Sequence, residues 1–121
     1  MHVERGLEEF VQANPGSRYE LLNKVESPTG IYTAEPKIIL ADGTELVKLN
    51  NQGNSTFFPR NWTDAKIKEE VEHAVRYNEG LAYPNDLRKQ NEFKGKSKDG
   101  TIEIHFYYNP DGSISSYFPV L

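Results

Sequence analysis

The chain has 121 residues and no cysteine. That excludes a disulfide framework, a thiol nucleophile and a thiolate metal site. It leaves the compartment open, because exported proteins can also lack cysteine. No apolar run approaches the ~20 residues that a membrane-spanning helix needs. Met1-His2-Val3-Glu4-Arg5 is not followed by an apolar core, so no signal peptide is visible, and any export address is expected on a larger parent chain. Basic charge is also scarce: 14 Lys and Arg stand against 18 Asp and Glu, a net charge of −4. A generic nucleic-acid binder would be basic, to exploit counterion release. A local basic groove is still compatible with this balance, and so is a small acidic inhibitor. There is no Gly-rich phosphate loop, no His-x-x-x-His, no Gly-x-Ser-x-Gly, no repeat and no low-complexity segment.

What is present reads as one α+β domain over residues 1–121, with enough apolar content (36%) to bury a core. The organising stretch is Ser55-Thr56-Phe57-Phe58-Pro59-Arg60-Asn61-Trp62-Thr63. It joins an apolar strand to an amphipathic helix expected over Thr63–Tyr77. Thr63 can cap that helix and Asp64 places a negative charge at its positive end. Trp62 and Ile67 have the spacing of a hydrophobic staple. Ile67, Val71, Ala74 and Val75 share one face, with Lys66, Lys68, Glu69, Glu70 and Glu72 on the other.

An earlier short helix is expected at Gly6–Ala13, stopped by Asn14-Pro15-Gly16. Arg18–Leu22 reads as strand or helical turn. Ile31–Leu40 and Thr44–Leu49 form a hairpin about Asp42-Gly43, with Pro36 pointing to an edge or a bulge. An antiparallel sheet is thus expected from Ile31 onward, with the second helix packed on it. Glu92–Lys96 is a further strand, turning at Lys98-Asp99-Gly100. Thr101–Tyr108 alternates most clearly, Ile102, Ile104, Phe106 and Tyr108 against Thr101, Glu103, His105 and Tyr107. Asn109-Pro110-Asp111-Gly112 then suits a turn with a Gly bulge. If Asn109 faces Ser113, Tyr108 faces Ile114, Phe106 faces Ser116, Ile104 faces Phe118 and His105 faces Tyr117. His105 would then lie half-exposed on a polar face, and Phe118 in the core.

Two motifs carry a resemblance. Ser-Thr-Phe-Phe-Pro-x-x-Trp-Thr-Asp-x-x-Ile at residues 55–67 and Asp111-Gly112-Ser113-Ile114-Ser115-Ser116-Tyr117-Phe118-Pro119 resemble those of bacterial EndoU-type ribonuclease toxin domains. The similarity covers Gly30 to Leu121. It implies an EndoU/barnase-like α+β fold and a toxin of interbacterial competition, as in contact-dependent growth inhibition. Such a toxin is delivered on a larger effector, acts in the target-cell cytoplasm and is held by a cognate immunity protein. It also implies cleavage of RNA, tRNA among the substrates, by 2′-hydroxyl attack on the neighbouring phosphate, with no metal or other cofactor in that step.

The family uses two His for proton transfer and a Lys to balance charge. In this chain the upstream His is His2, and Gly53 and Asn54 occupy the family's Lys position, leaving Lys48 as the nearest substitute. His105 is the His best placed by local pattern. Ser116 and Phe118 match the positions that bind the base, with Tyr117 between them, and Thr56 matches a hydroxyl position. For Phe118 the resemblance (a stacking ring) and the hairpin register (a core residue) disagree. The basic stretch of Arg88, Lys89, Lys94, Lys96 and Lys98 can track a phosphate backbone or be a solvated edge. The departures leave a second reading open, a non-catalytic binding module such as an immunity-type inhibitor or a degenerate relative.

Overall fold

The structure is a computed structural model that describes residues 3–47 and 55–121. Among the described residues it is α+β, with two helices and eight strands in two antiparallel four-stranded sheets. The chain divides into two compact units, Met1–Arg60 and Asn61–Leu121. The α+β expectation holds, but the single sheet from Ile31 does not. The ladder is broken into two, and the first begins at Arg18. The division falls inside the stretch 55–67, which feeds a strand to one unit and a helix to the other. His2, Lys48 and the Gly53-Asn54 pair lie outside the described residues.

In the first unit, α1 (Glu4–Ala13) precedes β1 (Arg18–Glu26), β2 (Tyr32–Ile39), β3 (Glu45–Val47) and β4 (Ser55–Phe57). β2 is central, because both β3 and β4 pair along the side that β1 leaves open. β4 covers Tyr32–Ala34 and β3 covers Lys37–Ile39, so Pro36 stands in the gap between them, where no ladder bond is asked of it on that side. Leu7, Tyr32, Ala34 and Phe57 form the core, and the Tyr32 and Phe57 rings stack at 5.0 Å. Only Leu7 of α1 is fully buried, so polar ties hold the helix as well. The hydroxyls of Tyr19 and Tyr32 donate to Glu4 at 2.8 and 2.9 Å, and Arg60 pairs with both Glu4 and Glu8. Burial works to raise the Glu4 carboxyl, but these donors hold it below its ordinary range.

In the second unit, α2 (Asp64–Arg76) precedes β5 (Gly80–Leu81), β6 (Glu92–Lys96), β7 (Glu103–Tyr108) and β8 (Ile114–Val120), paired in that order. The Thr63 hydroxyl accepts the Lys66 N–H at 3.1 Å, the cap read from sequence. Ile67, Val71 and Ala74 are buried, as the helical period requires. Trp62 is only half-buried, with the Lys66 ammonium 5.2 Å from its ring centre, so it is not the deep anchor that the staple spacing suggests. Glu70 also departs from expectation, being buried on the supposed solvent face. One of its oxygens takes Lys66 Nζ and the other takes the Lys98 backbone N–H at 2.7 Å, satisfying the β6–β7 turn. His73, half-buried on the same helix, donates from Nδ1 to the Lys96 carbonyl at 3.0 Å. The helix backbone reaches β6 at Gly95, where a Cβ would stand 2.2 Å from the Ala74 carbonyl oxygen.

The last hairpin forms where the turn chemistry places it. Asn109 N–H donates to the Ser113 carbonyl, Tyr108 faces Ile114, and Gly112 takes φ +90°. Beyond that pair the expected register is overturned. A β-bulge between Tyr107 and Tyr108 inserts Ser115, so that Tyr107 faces Ser116, Phe106 faces Tyr117 and His105 faces Phe118.

Candidate active site on the last three strands

The bulge decides which side chains share a face. Directly opposed residues in antiparallel strands point to the same side of the sheet. The face against α2 carries Gly95, Ile104 and Phe106, with Tyr117 and Pro119 opposite on β8. The other face has three rows across β6, β7 and β8: Glu92–Tyr107–Ser116, Lys94–His105–Phe118 and Lys96–Glu103–Val120.

His105 is buried at 2% exposure, not half-exposed, because the neighbouring rings close over it. Tyr83 meets it edge-on at 5.7 Å between ring centres, and Phe118 lies at 5.6 Å. Its Nδ1 is 2.6 Å from Glu92 Oε2 and its Nε2 is 2.8 Å from Glu103 Oε2. A neutral ring donates from one nitrogen only, so both contacts become hydrogen bonds when each nitrogen, or one carboxyl, carries a proton. Glu92 is buried as well, and its second oxygen accepts the Tyr107 hydroxyl at 2.6 Å. Burial and that bond push the Tyr107 phenol up to about 12. Both Glu92 oxygens and both His105 nitrogens are therefore engaged. A general base needs a lone pair aimed at the proton it removes, and here neither ring nitrogen offers one. The arrangement instead fixes rings: Phe118 rests on His105 and, at 6.2 Å, on Tyr107.

The residues picked from sequence are only partly brought together. His105, Ser116 and Phe118 share one face of the second unit. Ser116 is exposed and Phe118 half-buried, between the two environments proposed for it. Tyr117, 39% exposed, belongs to the opposite face. Thr56 sits on β4 of the first unit, paired with Thr33. Glu92, Glu103, Tyr107 and Tyr83 carry no site signal of their own in the sequence, and Lys94 stands out there only as one member of the basic stretch. Extending the register from the Lys98-Asp99-Gly100 turn back along β6 would have set Glu92 across from Tyr107 and Lys94 across from His105.

Among the described residues no cluster of three His, Asp or Glu side chains could hold a metal ion, and no helix is long and apolar enough to cross a membrane. In comparisons with known proteins, a family model described as bacterial EndoU nuclease matches residues 6–121. A toxin of Bacillus cereus is 31% identical over 111 residues, covering 92% of this chain. The chain spans 18% of the length of that relative. No solved structure matches it.

Proposed function

Because the chain belongs to the bacterial EndoU nuclease family, we propose that it is the nuclease part of a larger toxin that cuts RNA. The cut is made by attack of a ribose 2′-hydroxyl, which gives up its proton, on the adjoining phosphate; the bond to the 5′-oxygen of the next nucleotide breaks, that oxygen leaves with a proton as a 5′-hydroxyl, and a 2′,3′-cyclic phosphate remains, a step that needs no metal. The observation that carries this reading is the Ser116–Phe118 pair on one face of β8, above the His105–Glu92–Tyr107 network. A single-stranded base needs a ring to stack on and a polar group at its edge. Two residues along a strand place these roughly 6.6 Å apart, the span of one base. Stacking on such a ring is worth ~1–3 kcal/mol per base.

Both nitrogens of His105 are engaged and His73 is tied to Lys96, so in this proposal His105 holds Phe118 in place; His2, outside the described residues, keeps the proton-accepting role that the resemblance implies. The parent toxin is proposed to act on tRNA in the cytoplasm of a target bacterium and to be held by an immunity protein. The test is incubation of the purified chain with tRNA in EDTA. Cleavage to 2′,3′-cyclic phosphate ends is expected, lost in His2→Ala and reduced at least tenfold in Phe118→Ala. Activity that appears only with added metal would refute the chemistry. Two observations favour a second reading: neither nitrogen of His105 is free, and Gly53-Asn54 offers no cation. Binding of RNA without any cleavage would select that reading, a binding module on the same fold.

A further inference from the structure

We infer that Lys94 grips a phosphate of the RNA strand whose base is stacked on Phe118, an inference that rests on the RNA-cleaving reading above. The sequence places Lys94, Lys96 and Lys98 at alternate positions, and the structure separates them. Lys98 pairs with Glu69 and Lys96 with Glu79. Lys94 has no ion-pair partner among the described residues. Its direction is fixed by its neighbour: Gly95 faces the α2 backbone so closely that Lys94 is turned to the opposite face. There it lies in the same row as His105 and Phe118.

None of the carboxylates near this row pairs with Lys94 among the described residues. Both oxygens of Glu92 are taken by His105 and Tyr107, and Glu103 meets His105 Nε2. On its other flank Lys94 faces Gly80, which has no side chain and around which a Cβ would meet nothing within 4 Å. Lys94 is half-buried as a residue, and an ammonium with no ion-pair partner among the described residues can take an anion delivered from solvent. Lys94 and Phe118 are two strand spacings apart, roughly 9–10 Å. That separation suits a nucleotide with its base on the ring and its own or the next phosphate at the ammonium. The ligand class is thus a single-stranded phosphodiester. During cleavage the same charge would oppose the negative charge that grows on the phosphate.

The test uses the whole chain and two probes: a 2′-deoxy single-stranded oligonucleotide that cannot be cut, and the matching RNA. Affinity for the first is measured by fluorescence anisotropy over a salt series. Each phosphate contact contributes ~0.7 to the slope of log affinity against log salt for single strands. Lys94→Gln should lower the slope by about that amount and weaken binding roughly tenfold, the lower range for a bond to a charged group. Lys94→Arg should restore the slope, and Lys96→Gln, whose ammonium already pairs with Glu79, should leave it unchanged. On RNA, Lys94→Gln should cut kcat/KM at least tenfold with Tm unaltered. A wild-type slope in Lys94→Gln, or an equal loss in Lys96→Gln, would overturn the inference while leaving the nuclease reading intact. Lys94-dependent binding without cleavage would sink the nuclease reading alone. No binding by the wild-type chain would end both.

Discussion

Replacing Gly95 with Ala tests the packing that orients the whole candidate site. A Cβ at this position would stand 2.2 Å from the Ala74 carbonyl oxygen, 2.8 Å from its carbon and 2.9 Å from its Cα. Ordinary contact begins at 3.4 Å, so a shift of about 1.2 Å is required. The obstacle is helix backbone, which cannot rotate aside as a side chain would. Inserting one methyl group into a packed interior costs ~1–3 kcal/mol, and a rigid obstacle puts this case at the upper end. Against this stands the gain from removing a flexible Gly from a strand, roughly 0.5–1 kcal/mol. The net expectation is a loss of about 2 kcal/mol. At about 4 °C per kcal/mol for a chain of this size, Tm should fall by about 8 °C. Circular dichroism melting reads this directly. The sign makes the test sharp, since without the close approach the substitution would stabilise the strand. A Tm equal to or above wild type would refute the contact between α2 and β6, and with it the argument for the direction of Lys94.

His105→Ala would be nearly neutral for a half-exposed strand His, but the buried pair with Glu92 makes it costly, about 3–5 kcal/mol, because a buried carboxylate loses its partner; a urea midpoint unchanged from wild type would contradict that. The Tyr107 phenol, raised from 10.0 to about 12, adds stability that is complete below pH 10 and is lost as pH rises through about 12. The tyrosinate absorbance titration, taken as the difference from Tyr107→Phe, should show that midpoint, and Glu92→Gln should move it back towards 10; a Tyr107 that titrates at 10 in the wild-type chain would show that the bond to Glu92 is not made.

What the sequence displayed was local. Thr63 as a cap, the buried Ile67–Val71–Ala74 stripe and the Asn109–Gly112 turn depend on residues within a few positions of one another, and all three stand in the structure. The site depends on pairing at longer range, where one extra residue changes everything after it. Ser115 carries no mark of a bulge in its chemistry, so the register carried over from the Asn109–Ser113 turn sets His105 against Tyr117. Glu70 was misplaced for a related reason. On a helical wheel it belongs with charged neighbours, and only the position of the β6–β7 turn, which needs an acceptor for Lys98 N–H, makes burial favourable. Glu92 opens a strand thirteen positions before His105, and nothing near it in the chain signals a partner.

The bulge at Ser115 also divides β8 into two phases. Ile114 follows the parity of the turn, whereas Ser116–Val120 follow the opposite parity. Regular pairing with Ser115 kept and no bulge would exchange the two faces: Tyr117 would come over His105, and Phe118 would turn towards α2. Loss of Ser115 itself would leave every one of these pairs in place, because Ile114 would then be followed directly by the residue that faces Tyr107. The bulge thus absorbs one residue of length, and what it protects is the choice of which side chains of β8 stand over His105.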